Sequence, residues 1–253
     1  MNYLTYCEIL KNFPEQKIGG TIPFNEFKKI FYSQCGEDGV IIELLNRIKN
    51  IVNFYVEFGA WDGLNLSNTA NLRINNNWKG VLFEADEHKV KSANLSNLYY
   101  EKISSNNINL VFEKYNVPFD FGLLSIDIDG NDSYCWESLN EKYKPSIVII
   151  EFNPGLPNSV PIRIKENEGN VEEGYFGSNI NLLYDLGISK GYEFVTITGW
   201  NIIFVRREIF SLLNIPKIEK NEIIKIHTNG KGYKEWNSRM VNKNDLWVIN
   251  EKF

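Results

Sequence analysis

FYVEFGAWDG, residues 54–63, followed by KGVLFEAD, residues 79–86, decides how this chain folds. The first stretch is an apolar and aromatic run that breaks at Gly59, with Gly63 closing the turn. The second is another apolar run that ends on an acid, Glu84. Apolar runs of this length, bounded by glycine and polar residues, are strand signals. The stretch between them suits a helix, so the pair reads as a β–α–β unit of a mostly parallel sheet.

Working outward, strands are expected at 54–60, 79–85, 99–103, 121–128 and 146–152. Helices are expected at 66–76, 87–98, 106–116 and 132–142, the third capped by Ser104 or Ser105. The Ile, Leu and Val content of FGLLSIDI and SIVIIEF suits strands covered on both faces. In YEFVTIT-GW-NIIFVRRE (192–208), two β-branched and aromatic runs flank Gly199 and Trp200, which predicts a hairpin. EDGVIIELLNRIK (37–49) carries apolar residues at helical spacing, with Ser33 or the acids Glu37 and Asp38 near its start. The expected fold is therefore α/β and Rossmann-like, a mostly parallel sheet with a terminal antiparallel hairpin and helices on both faces.

Three units follow: a helical cap over 1–50, a core over 51–208, and an extension over 209–253 packed on that core. Within the core, 154–177 is rich in Pro, Gly and charge, and a loop of that length is commonly functional.

The 253 residues are 43% hydrophobic and 23% charged, which excludes disorder and low-complexity repeats. A formal charge of -5 gives no general reason to bind a nucleic acid polymer. No apolar run reaches a membrane span, and the start is not a signal peptide. Three widely spaced cysteines, Cys7, Cys35 and Cys135, form neither a zinc pattern nor a disulfide framework, so a cytoplasmic location is expected. Two histidines, His88 and His227, exclude a multi-histidine metal site, and no GxSxG elbow supports a Ser-His-Asp triad.

The turn after the first strand is E-x-G-x-x-x-G, built from Glu57, Gly59 and Gly63. The dinucleotide fingerprint is the tighter GxGxxG, and this wider loop is the one S-adenosylmethionine (SAM) enzymes use. Glu84 ends the second strand, where an acid accepts hydrogen bonds from ribose hydroxyls, and Ala85 follows it. Together they indicate an adenosine-bearing cofactor.

LLSIDIDGND (123–132) gathers Asp127, Asp129 and Asp132 at the end of the fourth strand. An aspartyl-nucleophile phosphatase needs a final paired-Asp motif that is missing, and an EF-hand needs a later Glu that is missing. A third reading is a divalent Mg²⁺ or Mn²⁺ held by Asp127 or Asp129 together with Glu151 and Asn153 of VIIEFN. Asp132 alternatively caps the helix that follows.

Taken in order, YSQCGEDG (32–39), VEFGAWDGLNLSNT (56–69), GVLFEAD (80–86), LLSIDIDGND (123–132), IVIIEFN (147–153) and YFGSN (175–179) resemble the FkbM-type methyltransferases. The resemblance spans roughly residues 30–208 and implies the class I SAM methyltransferase sheet. It places Glu57, Gly59 and Gly63 on the SAM loop and Glu84 on the ribose. Trp61 and Asn65 fall beside the methionine portion, and Tyr32, Gln34, Glu37 and Asp38 near the methionine end. Asp127, Glu151 and Asn153 match an Asp…Asp-Asn metal set, with Glu in place of the second Asp. Cys35 is not expected to act as a nucleophile.

The implied reaction is O-methylation of a small-molecule hydroxyl, a sugar nucleotide of surface-polysaccharide biosynthesis or a non-sugar secondary metabolite. A divalent cation would ease removal of the hydroxyl proton, with a carboxylate base, Asp127 or Asp129, as the alternative. Arg163 and Lys165 in the long loop would meet an acceptor phosphate, with Asp129 also near the acceptor. A homodimer is allowed. Two other classes stay open: a nicotinamide-dependent Rossmann oxidoreductase, which the missing GxGxxG disfavours, and a SAM-binding protein without turnover.

Overall fold

The computed structural model describes residues 22–169, 175–228 and 247–249. The strands β1 (Phe54–Phe58), β2 (Lys79–Glu84), β3 (Leu98–Tyr100), β4 (Asp120–Ile126) and β5 (Lys144–Glu151) run parallel. Past a short strand β6 (Ile162–Ile164), β7 (Tyr192–Ile197) and β8 (Asn201–Arg206) form the hairpin expected around Gly199 and Trp200. The sheet order is β3-β2-β1-β4-β5-β8-β7, and β8 pairs antiparallel to β5. That order, with the last strand inserted antiparallel beside β5, is the class I methyltransferase sheet.

Alternation along the central strands builds two cores. Val148 and Ile150 of β5 face one way with Val56, Phe58 and Ile126, while Ile147 and Ile149 face the other with Tyr55 and Leu123. The first face is covered by α4 (Ile108–Lys114), α5 (Asp132–Ser138) and α6 (Ile180–Ser189), through Phe112, Trp136 and Leu183 among others. The second is covered by α1 (Glu37–Arg47), α2 (Ala70–Asn76) and α3 (Glu87–Ala93), through Leu44, Leu72 and Val90. Strands apolar on both faces are what such a three-layer arrangement requires.

Several boundaries differ from expectation for local reasons. Helix α2 begins at Ala70 rather than near 66, because Leu66 is left-handed (φ 60°) and bridges to Ser33. Helix α3 stops at Ala93, where Asn94 turns left-handed, instead of running to 98. Helix α4 begins after Asn107 and not after Ser104 or Ser105. Asn107 Oδ1 accepts the Ser104 N–H, and the Ser105 hydroxyl donates to Glu166.

The 154–177 loop contains structure that the sequence reading omits. Its strand β6 pairs antiparallel with β9 (Trp247–Ile249), and Arg163 bridges to Ser178. In the extension, a one-turn helix α7 (Arg207–Phe210) leads into a 3₁₀ turn, and α8 (Lys220–Thr228) packs through Ile223 against the first core. Of the expected helical cap, residues 1–21 lie outside the described residues, as does Cys7. From 22 to 36 the chain forms one 3₁₀ turn, Asn25–Phe27, before α1.

Candidate active site

In the sheet, β1 and β4 are neighbours whose onward connections leave in opposite directions, β1 toward β2 and β4 toward β5. The crevice above their carboxyl ends is where open α/β sheets take ligands. Gly59 opens it with φ 65°, and a Cβ there would lie 1.6 Å from the Asp127 carbonyl oxygen. The glycine is thus demanded first by the neighbouring strand end, which presses against its backbone. Gly63, at φ 72°, closes the turn with its N–H on the Ala60 carbonyl at 2.7 Å.

Glu57 and Glu84 are buried at the ends of β1 and β2. Glu57 accepts the Ser67 and Thr69 hydroxyls at 2.7 and 2.6 Å and the Asn68 N–H at 2.8 Å. Burial raises its proton affinity, and those three donors pull against the rise. Glu84 accepts the backbone N–H of Trp61 at 2.8 Å and of Asp86 at 2.9 Å, which ties the glycine turn to the end of β2. Ala85, beside it, is exposed.

Trp61 sits at the rim, 46% exposed and left-handed at φ 50°, with Lys89 Nζ 4.7 Å from its ring centroid. Asn65 is held by Asp62, through its backbone N–H at 2.8 Å and its amide at 2.5 Å.

The YSQCGEDG block wraps over the same end of the sheet. Asp38 Oδ2 accepts the N–H groups of Phe31, Tyr32 and Ser33 at 2.7–2.8 Å, and the Asp38 N–H returns to Ser33 Oγ at 3.1 Å. Glu37 accepts the Cys35 N–H at 2.8 Å, the Thr198 hydroxyl at 2.5 Å and the Asn201 amide at 2.9 Å. These two acids therefore join α1 to its own leader and to the hairpin, while Tyr32 and Gln34 lie half-buried in the turn they brace.

One oxygen from each of Asp127, Asp129 and Glu151 lies within 4.8 Å of the others. Asp127 follows β4 and Glu151 closes β5, while left-handed Asp129 (φ 58°) bends the loop back toward them. Burial and then the neighbouring acids push Asp127 and Glu151 well above the usual carboxylate range. Asp129 is exposed as a residue, yet the partial desolvation of its carboxyl raises its proton affinity, with Lys89 opposing the rise. Glu151 is 4% exposed, and its Oε2 meets no hydrogen-bond donor among the described residues. Three oxygen donors this close together, one of them buried and unmatched, are a set that could hold a hard divalent ion.

Asp132 does not cap α5: it is the first residue of that helix, Asn131 holds the cap position, and the Asp132 carboxylate braces the loop before it. It accepts the N–H groups of Ile128 at 2.8 Å and Gly130 at 2.9 Å, yet burial still lifts its carboxyl to about 6.

The remaining expected residues are engaged elsewhere. Asn153 Oδ1 accepts the Gly155 N–H at 2.9 Å and its Nδ2 donates to the Phe176 carbonyl at 3.0 Å, shaping the loop after β5. Arg163 is 8% exposed, pairs with Glu137 at 2.7 Å and stacks 3.7 Å from the Tyr134 ring centroid. Lys165 lies half-exposed beyond it. Cys35 is half-exposed, while burial pushes the Cys135 thiol up and keeps it protonated. His88 is exposed on α3, and His227 falls in α8 with its side chain outside the described residues.

Sequence reasoning did not single out Thr198, Asn201, Ser67, Thr69 or Lys89. The first four are polar residues at the ends of predicted elements, where a buried acid elsewhere needs donors, and that position is their only sequence signal.

No family model matches the chain, and no curated protein matches it. Among solved structures it is similar to a SAM-dependent methyltransferase from Aquifex aeolicus, at TM-score 0.36 and 10% identity over 81% of this chain and 97% of that one. A glycopeptide N-methyltransferase complexed with SAM aligns at TM-score 0.36 and 10% identity, over 69% of this chain and 94% of the other. An O-methyltransferase of neocarzinostatin biosynthesis aligns at TM-score 0.32 and 15% identity, over 61% and 49%. The fold assignment rests on the strand order and direction of the chain's own sheet.

Proposed function

We propose that this chain is a SAM-dependent O-methyltransferase that, assisted by a divalent cation, methylates a hydroxyl of a sugar. The observation that carries the reading is the meeting, at one switch point, of the Gly59 turn, the acid ending β2, and the Asp127, Asp129 and Glu151 group. The resemblance of its motif order to that of FkbM-type methyltransferases supports it, and would suit an acceptor of surface-polysaccharide biosynthesis.

SAM would supply an electrophilic methyl on sulfur. The turn 59–63 and Glu84 would position the adenosine portion, and the crevice would hold the acceptor hydroxyl in line with the methyl, chiefly a proximity effect. The C–S bond breaks as the O–C bond forms, and the hydroxyl proton leaves. Asp127, Asp129 and Glu151 would hold a divalent cation whose charge favours the deprotonated oxygen. Asp127 or Asp129, whose proton affinity is raised, would be the alternative acceptor of that proton. A nucleotide-linked acceptor would lean on Lys165, because Arg163 is committed to Glu137.

Thermal unfolding with SAM, S-adenosylhomocysteine, NAD⁺ or NADP⁺, each with Mg²⁺, Mn²⁺ or chelator, tests the reading. A ligand at about a hundred times its Kd adds roughly 2.7 kcal/mol, which is about 5–10 °C for a chain of this size. The expected result is a shift with the two adenosyl sulfur compounds alone. A shift with a nicotinamide nucleotide and none with SAM would overturn it.

A further inference from the structure

Five large apolar side chains stand exposed on the two segments that frame the crevice. Ile30 and Phe31 lead into α1, and Trp61, Leu64 and Leu66 follow the Gly59 turn; each is 40–48% exposed. The parallel bridge between Ser33 and Leu66 brings the two segments together. The backbone beneath them is fixed. Asp38 takes the N–H groups of Phe31 and Tyr32, Asp62 those of Leu64 and Asn65, and Glu84 that of Trp61. Trp61 and Leu66 are left-handed, at φ 50° and 60°, and no other exposed apolar residue is so among the described residues. That conformation is costly for a bulky side chain and persists where its surroundings enforce it, often at a functional surface. Two cations complete the patch. Lys29 Nζ lies 4.7 Å from the Phe31 ring centroid, and Lys89 Nζ lies 4.7 Å from that of Trp61. Lys91, on the same helix as Lys89, pairs with Glu87 at 2.8 Å, whereas neither Lys29 nor Lys89 forms a salt bridge among the described residues. The neighbouring acids are spent on backbone, Asp62 as above and Asp86 on the N–H groups of His88 and Lys89.

We infer that this face docks on the surface of a phospholipid bilayer, with Phe31, Trp61 and Leu66 entering the headgroup boundary and Lys29 and Lys89 meeting lipid phosphates. Aromatic rings settle at that depth, aliphatic side chains reach the acyl chains, and lysines keep their charge at the phosphates while their stems stay in apolar surroundings. The charges choose between occupants. A second copy of this chain, joined face to face, would set Lys29 and Lys89 against their own kind. A protein partner would need acids placed opposite both lysines, whereas a bilayer offers phosphate at every position and needs no register. Docked in this way, the crevice opens onto the membrane. An acceptor hydroxyl carried on a hydrocarbon chain would then reach it from the lipid surface. That consequence rests on the methyltransferase reading above, and the docking itself does not.

Co-flotation of the full chain with vesicles of phosphatidylcholine and phosphatidylglycerol, at physiological ionic strength, tests this. The chain should float with the vesicles. The double variant Phe31→Ser, Leu66→Ser should lose at least about tenfold in partitioning, since it removes the apolar area that enters the lipid. Lys29→Glu should lose at least about fivefold, and serves as the second variant if the first fails to fold. Brominated lipid should quench a tryptophan signal that Trp61→Phe removes, because Trp78 and Trp136 are buried. Absence of flotation overturns the inference, and so does flotation that both variants leave intact. A dimer in analytical ultracentrifugation that the double variant dissociates gives the patch to a second copy and overturns it as well. S-adenosylhomocysteine titration without lipid reports separately on the cofactor reading, whose failure would leave the flotation result standing.

Discussion

Replacing Gly59 by alanine tests whether the end of β1 and the end of β4 truly touch. The new Cβ would stand 1.6 Å from the Asp127 carbonyl oxygen, and φ is 65°. The left-handed conformation alone costs an alanine about 1 kcal/mol. Reaching even the shortest tolerable Cβ contact of about 3 Å requires a separation of well over an ångström between two strand ends whose neighbours are close-packed. Overpacking of that kind typically adds 1–3 kcal/mol, so a total loss of about 3 kcal/mol is expected.

Gly191 provides the internal control. It follows α6 at φ 86°, and nothing lies within 4 Å of its added Cβ. Gly191→Ala should therefore show the conformational cost alone, about 1 kcal/mol or roughly 2–4 °C in Tm. Urea unfolding of both variants separates the two contributions, and S-adenosylhomocysteine titration reports whether the crevice survives. Equal destabilisation of the two variants, within about 0.5 kcal/mol, would refute the close approach on which the geometry of the crevice rests.

Three further outcomes follow from particular contacts. Glu37→Ala takes the shared acceptor from the buried Thr198 and Asn201 side chains and from the half-exposed Cys35 N–H, and should cost about 3 kcal/mol in chemical unfolding. Arg163→Ala breaks a largely buried pair with Glu137 and a stack on Tyr134; a loss of about 2 kcal/mol is expected, with no change in S-adenosylhomocysteine affinity. The Asp132 carboxyl, lifted by burial from 3.8 to about 6, binds its proton more tightly folded than unfolded. Its contribution is therefore most favourable below pH 4 and is lost as pH rises toward 6, by up to about 3 kcal/mol. Asp132→Asn should flatten that part of the stability profile, and ¹³C titration of the carboxyl should give its midpoint directly.

The sheet was legible because its strands are covered on both faces. FGLLSIDI and SIVIIEF admit few other readings, and the pair Gly199–Trp200 between two β-branched runs marks the hairpin. Strand β6 was hidden because three residues, Ile162–Ile164, carry too little periodicity, and their partner β9 lies far along the chain. The site was legible in composition but not in direction. Glu37, Asp38, Glu57 and Glu84 stand out as acids beside glycines, which suggests ligand contacts. In the folded chain each spends oxygens on backbone or hydroxyl donors, because a buried carboxylate must be satisfied by whatever groups the fold brings within reach. Which donors those are depends on residues far away in sequence, Thr198 and Asn201 in the case of Glu37. Glu151 is the contrast, since its position directly after the apolar run Ile147–Ile150 already set it apart.

The inserted position of β8 also dictates an order of assembly. During synthesis β5 emerges well before β8, so the edge from Ile147 to Glu151 has no hydrogen-bond partner on that side until residues 201–206 arrive. An apolar, unpaired edge is a template for pairing with another chain. The nascent protein thus carries its greatest aggregation hazard between the making of β5 and the making of the hairpin. Helix α1 waits as well, because Glu37 finds two of its donors only at Thr198 and Asn201. A slow stretch of translation while β5 is outside the ribosome and residues 201–206 are not would prolong that exposure, whereas one after the hairpin has cleared the exit tunnel would find the seven-stranded sheet complete.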